Sequence, residues 1–316
     1  MKAPKFWHKR DSIRGLLLIP IAIFYKYFST FYRSKIKASK LPIPVICIGN
    51  VVIGGAGKTP VAIAIYDLLR NMGIKPHFLT RGYKGKMRGP LLVDPYIHTF
   101  EDVGDEPLLL AKKGPTWVSA DRVEGAKSAL ANGAEVIIMD DGFQNPYLHK
   151  DINILVIDGS YGLGSGRLFP AGPLRESLAS GLSRAQAVII VGEGWQHQPF
   201  KIPTFYAHAQ LDPNILKTLK TLKLCAFAGI GNPEKFFTSL RNAGLHVLDT
   251  FSFSDHHPYI PEELNRLVGG DLTVVTTTKD YVRIPEPWSK KITPISMDIK
   301  FNDPHKLMKV LERVLI

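Results

Sequence analysis

Three glycines ahead of a lysine and a threonine, set between a β-branched run and an amphipathic helix, constrain this chain most. Pro44-Val45-Ile46-Cys47-Ile48 reads as a buried strand that runs into Gly49-Asn50-Val51-Val52-Ile53-Gly54-Gly55-Ala56-Gly57-Lys58-Thr59-Pro60. A helix from Pro60 to about Asn71 follows, with Val61, Ile65, Leu68 and Leu69 recurring on one face. Strand, flexible turn and helix N-terminus in that order let backbone N–H groups wrap phosphate oxygens. Val52, Ile53, Gly54, Gly55, Ala56, Gly57, Lys58 and Thr59 are therefore the nucleotide-binding candidates. Lys58 would reach the β- and γ-phosphates of ATP, and the Thr59 hydroxyl would sit on Mg²⁺. The strict pattern G-x-x-x-x-G-K-[ST] wants glycine where Val52 stands, so the loop departs from it at one position.

A second acidic feature belongs with the loop. Glu135-Val136-Ile137-Ile138-Met139-Asp140-Asp141 places Asp140 and Asp141 at the end of an apolar strand, where ligands of parallel sheets bind. Adjacent carboxylates repel unless a cation is near, so at least one of the two is expected to organise Mg²⁺. Asp105-Glu106 opens an apolar helical run, Leu108–Ala111, and Asp255-His256-His257-Pro258 joins a later strand to a helix. From spacing alone neither cluster receives a role. Adjacent histidines rarely reach one ion, and no third ligand is evident.

Other strand-like runs are His77–Thr80, Val136–Met139, Ile152–Ile157 and Ala187–Val191, separated by helix-sized intervals. Continuous apolar strands of this kind indicate a mostly parallel sheet covered on both faces. The stretch 196–213, richer in Pro, His and Gln, is the expected connection between units. Beyond it, Leu222–Ala228, His246–Thr250 and Leu272–Thr276 alternate with helical patterns at Pro233–Ala243 and Pro261–Val268, closed by a helix from Asp303. The fold class is α/β: a P-loop NTPase-like, mostly parallel sheet flanked by helices, a second smaller α/β domain, and an N-terminal amphipathic membrane-associated helix. The expected boundaries are 1–40, 41–212 and 213–316. With 316 residues, two domains plus a leader is the natural division. Cys47 and Cys225 both lie in apolar runs, which excludes a disulfide framework or a cysteine zinc site and fits a reducing compartment.

The leader accounts for most of the chain's basicity. The net charge is +12, yet residues 1–40 hold ten Lys or Arg and a single acid, Asp11. Interleaved with these are Phe6, Trp7, Ile13, the uncharged run Gly15–Tyr25, and Tyr27, Phe28, Phe31 and Tyr32. Eleven uncharged residues are too few to span a bilayer, which takes about 20. A helix lying in the interface of an anionic membrane fits, with aromatic rings at headgroup depth and cations on the lipid phosphates. The alternative is a helix packed on the protein's own core. Nucleic acid is disfavoured as the partner, because phosphate contacts require no apolar run.

The ordered motifs together resemble the tetraacyldisaccharide 4'-kinase family. The resemblance rests on the leader, the glycine loop, Arg81-Gly82-Tyr83, Gly104-Asp105-Glu106-Pro107, Asp121-Arg122 and Asp140-Asp141-Gly142-Phe143-Gln144. It continues through Pro170-Ala171-Gly172-Pro173-Leu174-Arg175-Glu176, Ala228-Gly229-Ile230-Gly231, Asp255-His256 and Thr278-Lys279-Asp280. It implies transfer of the ATP γ-phosphoryl to the 4'-hydroxyl of a tetraacylated glucosamine disaccharide 1-phosphate, giving lipid IVA in lipid A biosynthesis. It further implies a peripheral enzyme on the cytoplasmic face of the Gram-negative inner membrane, working as a monomer. By the same resemblance Asp105 is the base, His256 holds or tunes it, and Lys58 and Arg175 neutralise the transferring phosphoryl. Thr59, Glu106, Asp140, Asp141 and Glu176 surround the metal, and Arg81, Tyr83, Arg122 and Gln144 meet the substrate or the phosphates. On nucleotide binding the second unit would close so that Asp255-His256 meets Asp105. One position departs from the family: Asn145 stands where histidine is usual, and Asn does not titrate near neutral pH. A membrane-bound switch ATPase shares the doubled glycine and the leader but has no use for Asp105 with His256. A soluble small-molecule kinase leaves the leader unexplained.

Overall fold

The computed structural model describes residues 4–195 and 200–315, so the first residues of the 196–213 stretch lie outside it. The strands of the larger unit are β1 (Val45–Gly49), β2 (Pro76–Thr80), β3 (Leu91–Leu92), β4 (Thr116–Val118), β5 (Val136–Asp140), β6 (Ile152–Asp158), β7 (Ala187–Val191) and β8 (Thr204–Leu211). The smaller unit carries β9 (Lys223–Ala228), β10 (His246–Ser252), β11 (Thr273–Thr277) and β12 (Ile292–Ile295), and the chain then forms β13 (Met297–Phe301). The first sheet runs β13-β8-β7-β6-β1-β5-β2-β4-β3, and the second β10-β9-β11-β12. Pairing is parallel throughout except at the two edges of the first sheet, β13 on β8 and β3 on β4.

Continuous apolar strands demand cover on both faces, and both faces have it. Ile46 and Ile48 of β1 pack with Val61, Ile65 and Leu69 of the helix Lys58–Asn71. Their neighbours Val45 and Cys47 face the opposite layer, with Ala126 and Ala129 of the helix Arg122–Ala131. In the smaller sheet Leu224, Ala226 and Ala228 meet Phe236, Phe237 and Leu240 on one side, while Cys225 and Phe227 meet Leu264 and Leu267 on the other. The two cysteines are buried and free, as small core residues.

Within the described part of the segment expected to link the units, 200–213, residues Thr204–Leu211 form β8, which extends the first sheet beside β7. The closing helix also differs from expectation. β13 pairs with β8 from Met297↔Leu211 to Phe301↔Ala207, and the helix Pro304–Leu315 follows it back to the larger unit. Leu307, Val310 and Leu311 are buried there with Ile65 and Leu69, so the chain leaves the larger unit, builds the smaller one and returns. Two crossings between the units restrict their relative motion more than one linker would.

The leader forms a 3₁₀ turn at Lys5–His8 and helices at Ile13–Leu17 and Ile19–Ser34. Trp7 anchors it: the ring is buried, its Nε1 donates to the Pro170 carbonyl at 3.1 Å, and Phe169 packs edge-on at 6.1 Å. Ala22 is buried, whereas Leu17, Phe24, Tyr27, Phe28 and Phe31 are each more than 60% exposed. Among the described residues no helix is long and apolar enough to cross a membrane.

Candidate active site

The C-terminal ends of three neighbouring strands converge on one cleft of about 2770 Å³, which the smaller unit closes from above. β1 delivers the glycine-rich loop, β5 delivers Asp140-Asp141, and β2 delivers Arg81 and Tyr83. Gly57 takes a left-handed φ of +81° as the N-cap of the helix Lys58–Asn71, so the loop's last peptide and the first helical turn face the cleft. A Cβ added at Gly54 or Gly55 would meet no atom within 4 Å, so the space over the loop is open.

Beneath the loop, Thr59 Oγ1 donates to Asp140 Oδ2 at 2.7 Å. Asp140 is almost fully buried, and its Oδ1 has no hydrogen-bond partner, nor does the buried Asn50 Oδ1. Burial pushes the Asp140 carboxyl up to about 7, reinforced by the charges of Glu106 and Asp141, against the Thr59 hydrogen bond and Lys58. A buried carboxyl group with an orphaned oxygen beside a threonine hydroxyl is the donor set a hard cation takes, and a bound cation would favour its ionised form. Among the described residues no three His, Cys, Asp or Glu side chains converge as a self-contained metal cage. The Thr59–Asp140 pair fits Mg²⁺, which commonly keeps one or two carboxylates and fills its shell with water and phosphate oxygens.

Asp141 has a different environment from its neighbour. It adopts a φ of +53°, which turns its side chain to Arg175 in a two-pronged pair of 2.9 and 3.2 Å. Lys58 Nζ lies 3.8 Å away. Burial raises the Asp141 pKa, but Lys58 and Arg175 outweigh it and hold the carboxyl below its usual range. Arg175 is itself fixed to the loop, its N–H donating to the Val51 carbonyl at 2.7 Å.

Across the cleft the smaller unit presents His256, in a left-handed conformation with φ of +59°. His256 Nδ1 meets Asp105 Oδ2 at 2.8 Å, from 151 residues away in sequence. Asp105 is 3% exposed, and its other oxygen accepts the Glu106 N–H at 3.0 Å. Burial alone would raise the Asp105 pKa; the hydrogen bond from His256 and the charges of Lys279, His256 and Arg283 bring it below the ordinary value. His256 lines the cleft, with Lys279 Nζ 3.5 Å and Asp255 Oδ2 3.8 Å from its Nε2. The adjacent imidazole diverges: His257 Nε2 pairs with Glu263 at 2.8 Å, at the start of the helix Pro261–Val268.

Arg81, Tyr83, Arg122 and Gln144 all line the same cleft. Arg122 is buried, its NH1 donating to the Ser119 and Ala120 carbonyls. Burial, aided by the neighbouring Arg81 charge, lowers its pKa to about 10. Two expected metal candidates are engaged elsewhere. Glu106 pairs with Lys279 at 3.2 Å. Glu176 does not line the cleft: its oxygens accept from Arg184 at 2.8 and 2.9 Å, Ser180 at 2.9 Å, Gln144 at 3.1 Å and Arg33 at 3.2 Å. Four donors around one carboxylate leave no lone pair aimed at a metal, so Glu176 is a structural hub instead. Asn145 spends its Oδ1 on the Tyr147 and Leu148 N–H groups.

Sequence reasoning left Lys279, Arg283, Lys235 and Asp158 without roles. Lys235 Nζ bridges to Asp158 Oδ2 at 2.8 Å, a further tie between the units beside His256–Asp105 and Lys279–Glu106. Asp158 carries the same signal that picked out Asp140, an acid ending an apolar strand, but its partner is 77 residues away.

The tetraacyldisaccharide-1-P 4'-kinase family profile matches residues 14–316. The tetraacyldisaccharide 4'-kinase of Rhodospirillum rubrum is 43% identical over 327 residues, covering 100% of this chain and 98% of that protein. That of Gluconobacter oxydans is 42% identical over 322 residues, covering 98% and 97%. Among solved structures, the "apo" form of LpxK from Aquifex aeolicus in complex with ATP aligns with a TM-score of 0.79 at 31% identity, over 96% of this chain and 99% of that one. Its mostly parallel, helix-flanked α/β architecture is the one described above. The chain belongs to the tetraacyldisaccharide-1-P 4'-kinase family.

Proposed function

We propose that this chain transfers the γ-phosphoryl of ATP to the 4'-hydroxyl of a tetraacylated glucosamine disaccharide 1-phosphate. Beyond family membership, the observation that carries the reading is the Asp105–His256 pair, which faces the glycine-rich loop across one cleft. A switch ATPase has no need of a proton acceptor placed there, whereas a kinase must deprotonate a hydroxyl.

In this reading Val52–Thr59 form a P-loop that cradles the β- and γ-phosphates, and Lys58 and Arg175 neutralise the charge that spreads over the transferring group. Thr59 and Asp140 would hold Mg²⁺, which would supply positive charge to offset that of the phosphates. Asp141 clamps Arg175 and Lys58 in place. Arg81, Tyr83 and Arg122 serve the phosphorylated sugar.

The acceptor oxygen attacks phosphorus as the bond to ADP breaks, and its proton passes to the dyad. Because Asp105 is enclosed, the cleft-facing atom of that dyad is His256 Nε2, with Asp105 orienting the ring and stabilising its charge. This shifts the acceptor atom from the carboxylate expected from sequence to the imidazole that carboxylate holds.

The exposed aromatic face of the leader supports peripheral attachment to the inner membrane, where a four-chain lipid resides. Each half-inserted ring contributes about 1 kcal/mol. Replacing Phe24, Phe28 and Phe31 together by serine is expected to weaken partition to anionic vesicles on the order of a hundredfold. Sedimentation with vesicles measures this, and undiminished binding would move the anchor to another surface. The activity itself is tested by ATP consumption in detergent micelles, with and without tetraacyldisaccharide 1-phosphate. ADP release that depends on the lipid supports the kinase; slow turnover indifferent to it would favour a switch ATPase.

A further inference from the structure

The leader helix Ile19–Ser34 carries two cations of its own, and they behave differently. Lys26 is exposed, as a lipid-facing residue should be. Arg33, in the last turn, points inward and places NH1 3.2 Å from Glu176 Oε2, a carboxylate only 4% exposed. Glu176 also accepts Gln144 Nε2 at 3.1 Å. The same Gln144 nitrogen donates to the Asn50 carbonyl at 2.8 Å, so the amide is fixed from two sides and its oxygen must face Arg175 NH1, at 3.2 Å. Arg175 in turn clamps Asp141 beside Lys58. An unbroken run of hydrogen bonds therefore joins the leader to the phosphate site: Arg33, Glu176, Gln144, Arg175, Asp141.

We infer that Arg33 is a positioning residue, through which seating of the leader helix on the body sets the placement of Arg175 over the glycine-rich loop. The inference rests on the kinase reading of that loop. Its physical basis is a chain of partly buried, charge-assisted bonds. When the leader helix shifts, Arg33 pulls Glu176 Oε2 with it, and the Gln144 amide must follow. A catalytic cation misplaced by a fraction of an ångström stabilises the transition state less while ground-state nucleotide binding persists. The carboxylate is not stranded without Arg33, because Arg184 still binds both of its oxygens. The fold should therefore survive the substitution.

The test compares the full-length wild type with Arg33→Met and Arg33→Lys. In the micelle assay Arg33→Met is expected to lower kcat roughly tenfold with KM for ATP little changed. Thermal unfolding and vesicle partition should stay near wild type. Arg33→Lys, which can still donate to Glu176, should recover most of the rate. Hydrogen exchange over 174–177, measured without any acceptor lipid, should speed up in Arg33→Met; this readout does not depend on the kinase reading. Unchanged kcat, or unchanged exchange over 174–177, overturns the inference. So does a rate loss that simply follows release from vesicles. Failure of the wild type itself to turn over in a lipid-dependent way would instead count against the kinase reading.

Discussion

Lys58→Ala is expected to lower lipid-dependent ATP turnover by about a thousandfold, the scale for removing a preorganised charge from a phosphoryl-transfer site. The protein should still fold. Lys58 sits in the first turn of its helix and lines the cleft, where its Nζ touches the Gly54 carbonyl at 3.4 Å and Asp141 at 3.8 Å. No core contact is lost with it, and Asp141 keeps its two-pronged bond to Arg175. Thermal unfolding within a few degrees of wild type, beside kcat reduced by orders of magnitude, is the expected pair of results. A variant that keeps most of its turnover would show that Arg175 and Mg²⁺ suffice, and that the lysine of the loop is not electrostatically engaged.

Much of this framework was legible because it is local. The run from Val45 through Ile48 is apolar at every position, and the loop behind it sets Gly54, Gly55 and Gly57 between that strand and an amphipathic helix. The return of the chain was not legible. Thr204–Leu211 carries His and Gln at exposed positions of an edge-side strand, which gives it the composition of a linker, and nothing local says that Met297–Phe301 will pair with it. The closing helix has a strong apolar face, but periodicity does not say which of two sheets that face covers. Site residues divide the same way. Asp140 follows from its place at a strand end. The contact between Asp105 and His256 spans 151 residues, so it came from the family resemblance and not from spacing. Glu176 misled because an acid beside Arg175 in a motif looks like a metal ligand until Arg33 and Arg184 are seen on it.

Substituting either member of the dyad should be as damaging as substituting both. Asp105→Asn and His256→Gln are each expected to reduce kcat by roughly 10²–10⁴, the range for general-base catalysis, and the double variant should lose no more than the worse single. Groups that move one proton as a unit behave this way; independent contributions would multiply. The pH dependence separates the carboxylate's role further. Its folded pKa lies below the unfolded one, so the Asp105 contribution to holding the two units together is fully present above the ordinary carboxylate range, near 4. That contribution is lost as pH falls through the depressed folded value. Across the neutral range Asp105 is therefore an anion throughout, and no limb of a rate profile between about pH 5 and 8 belongs to its titration. Thermal stability followed downward from pH 6 should fall more steeply for wild type than for Asp105→Asn, since only the former has this proton to take up. Equal slopes would mean that the 2.8 Å contact to His256 contributes little to docking. Additive losses of kcat would assign the two side chains separate tasks, and the proton would then need an acceptor other than the pair.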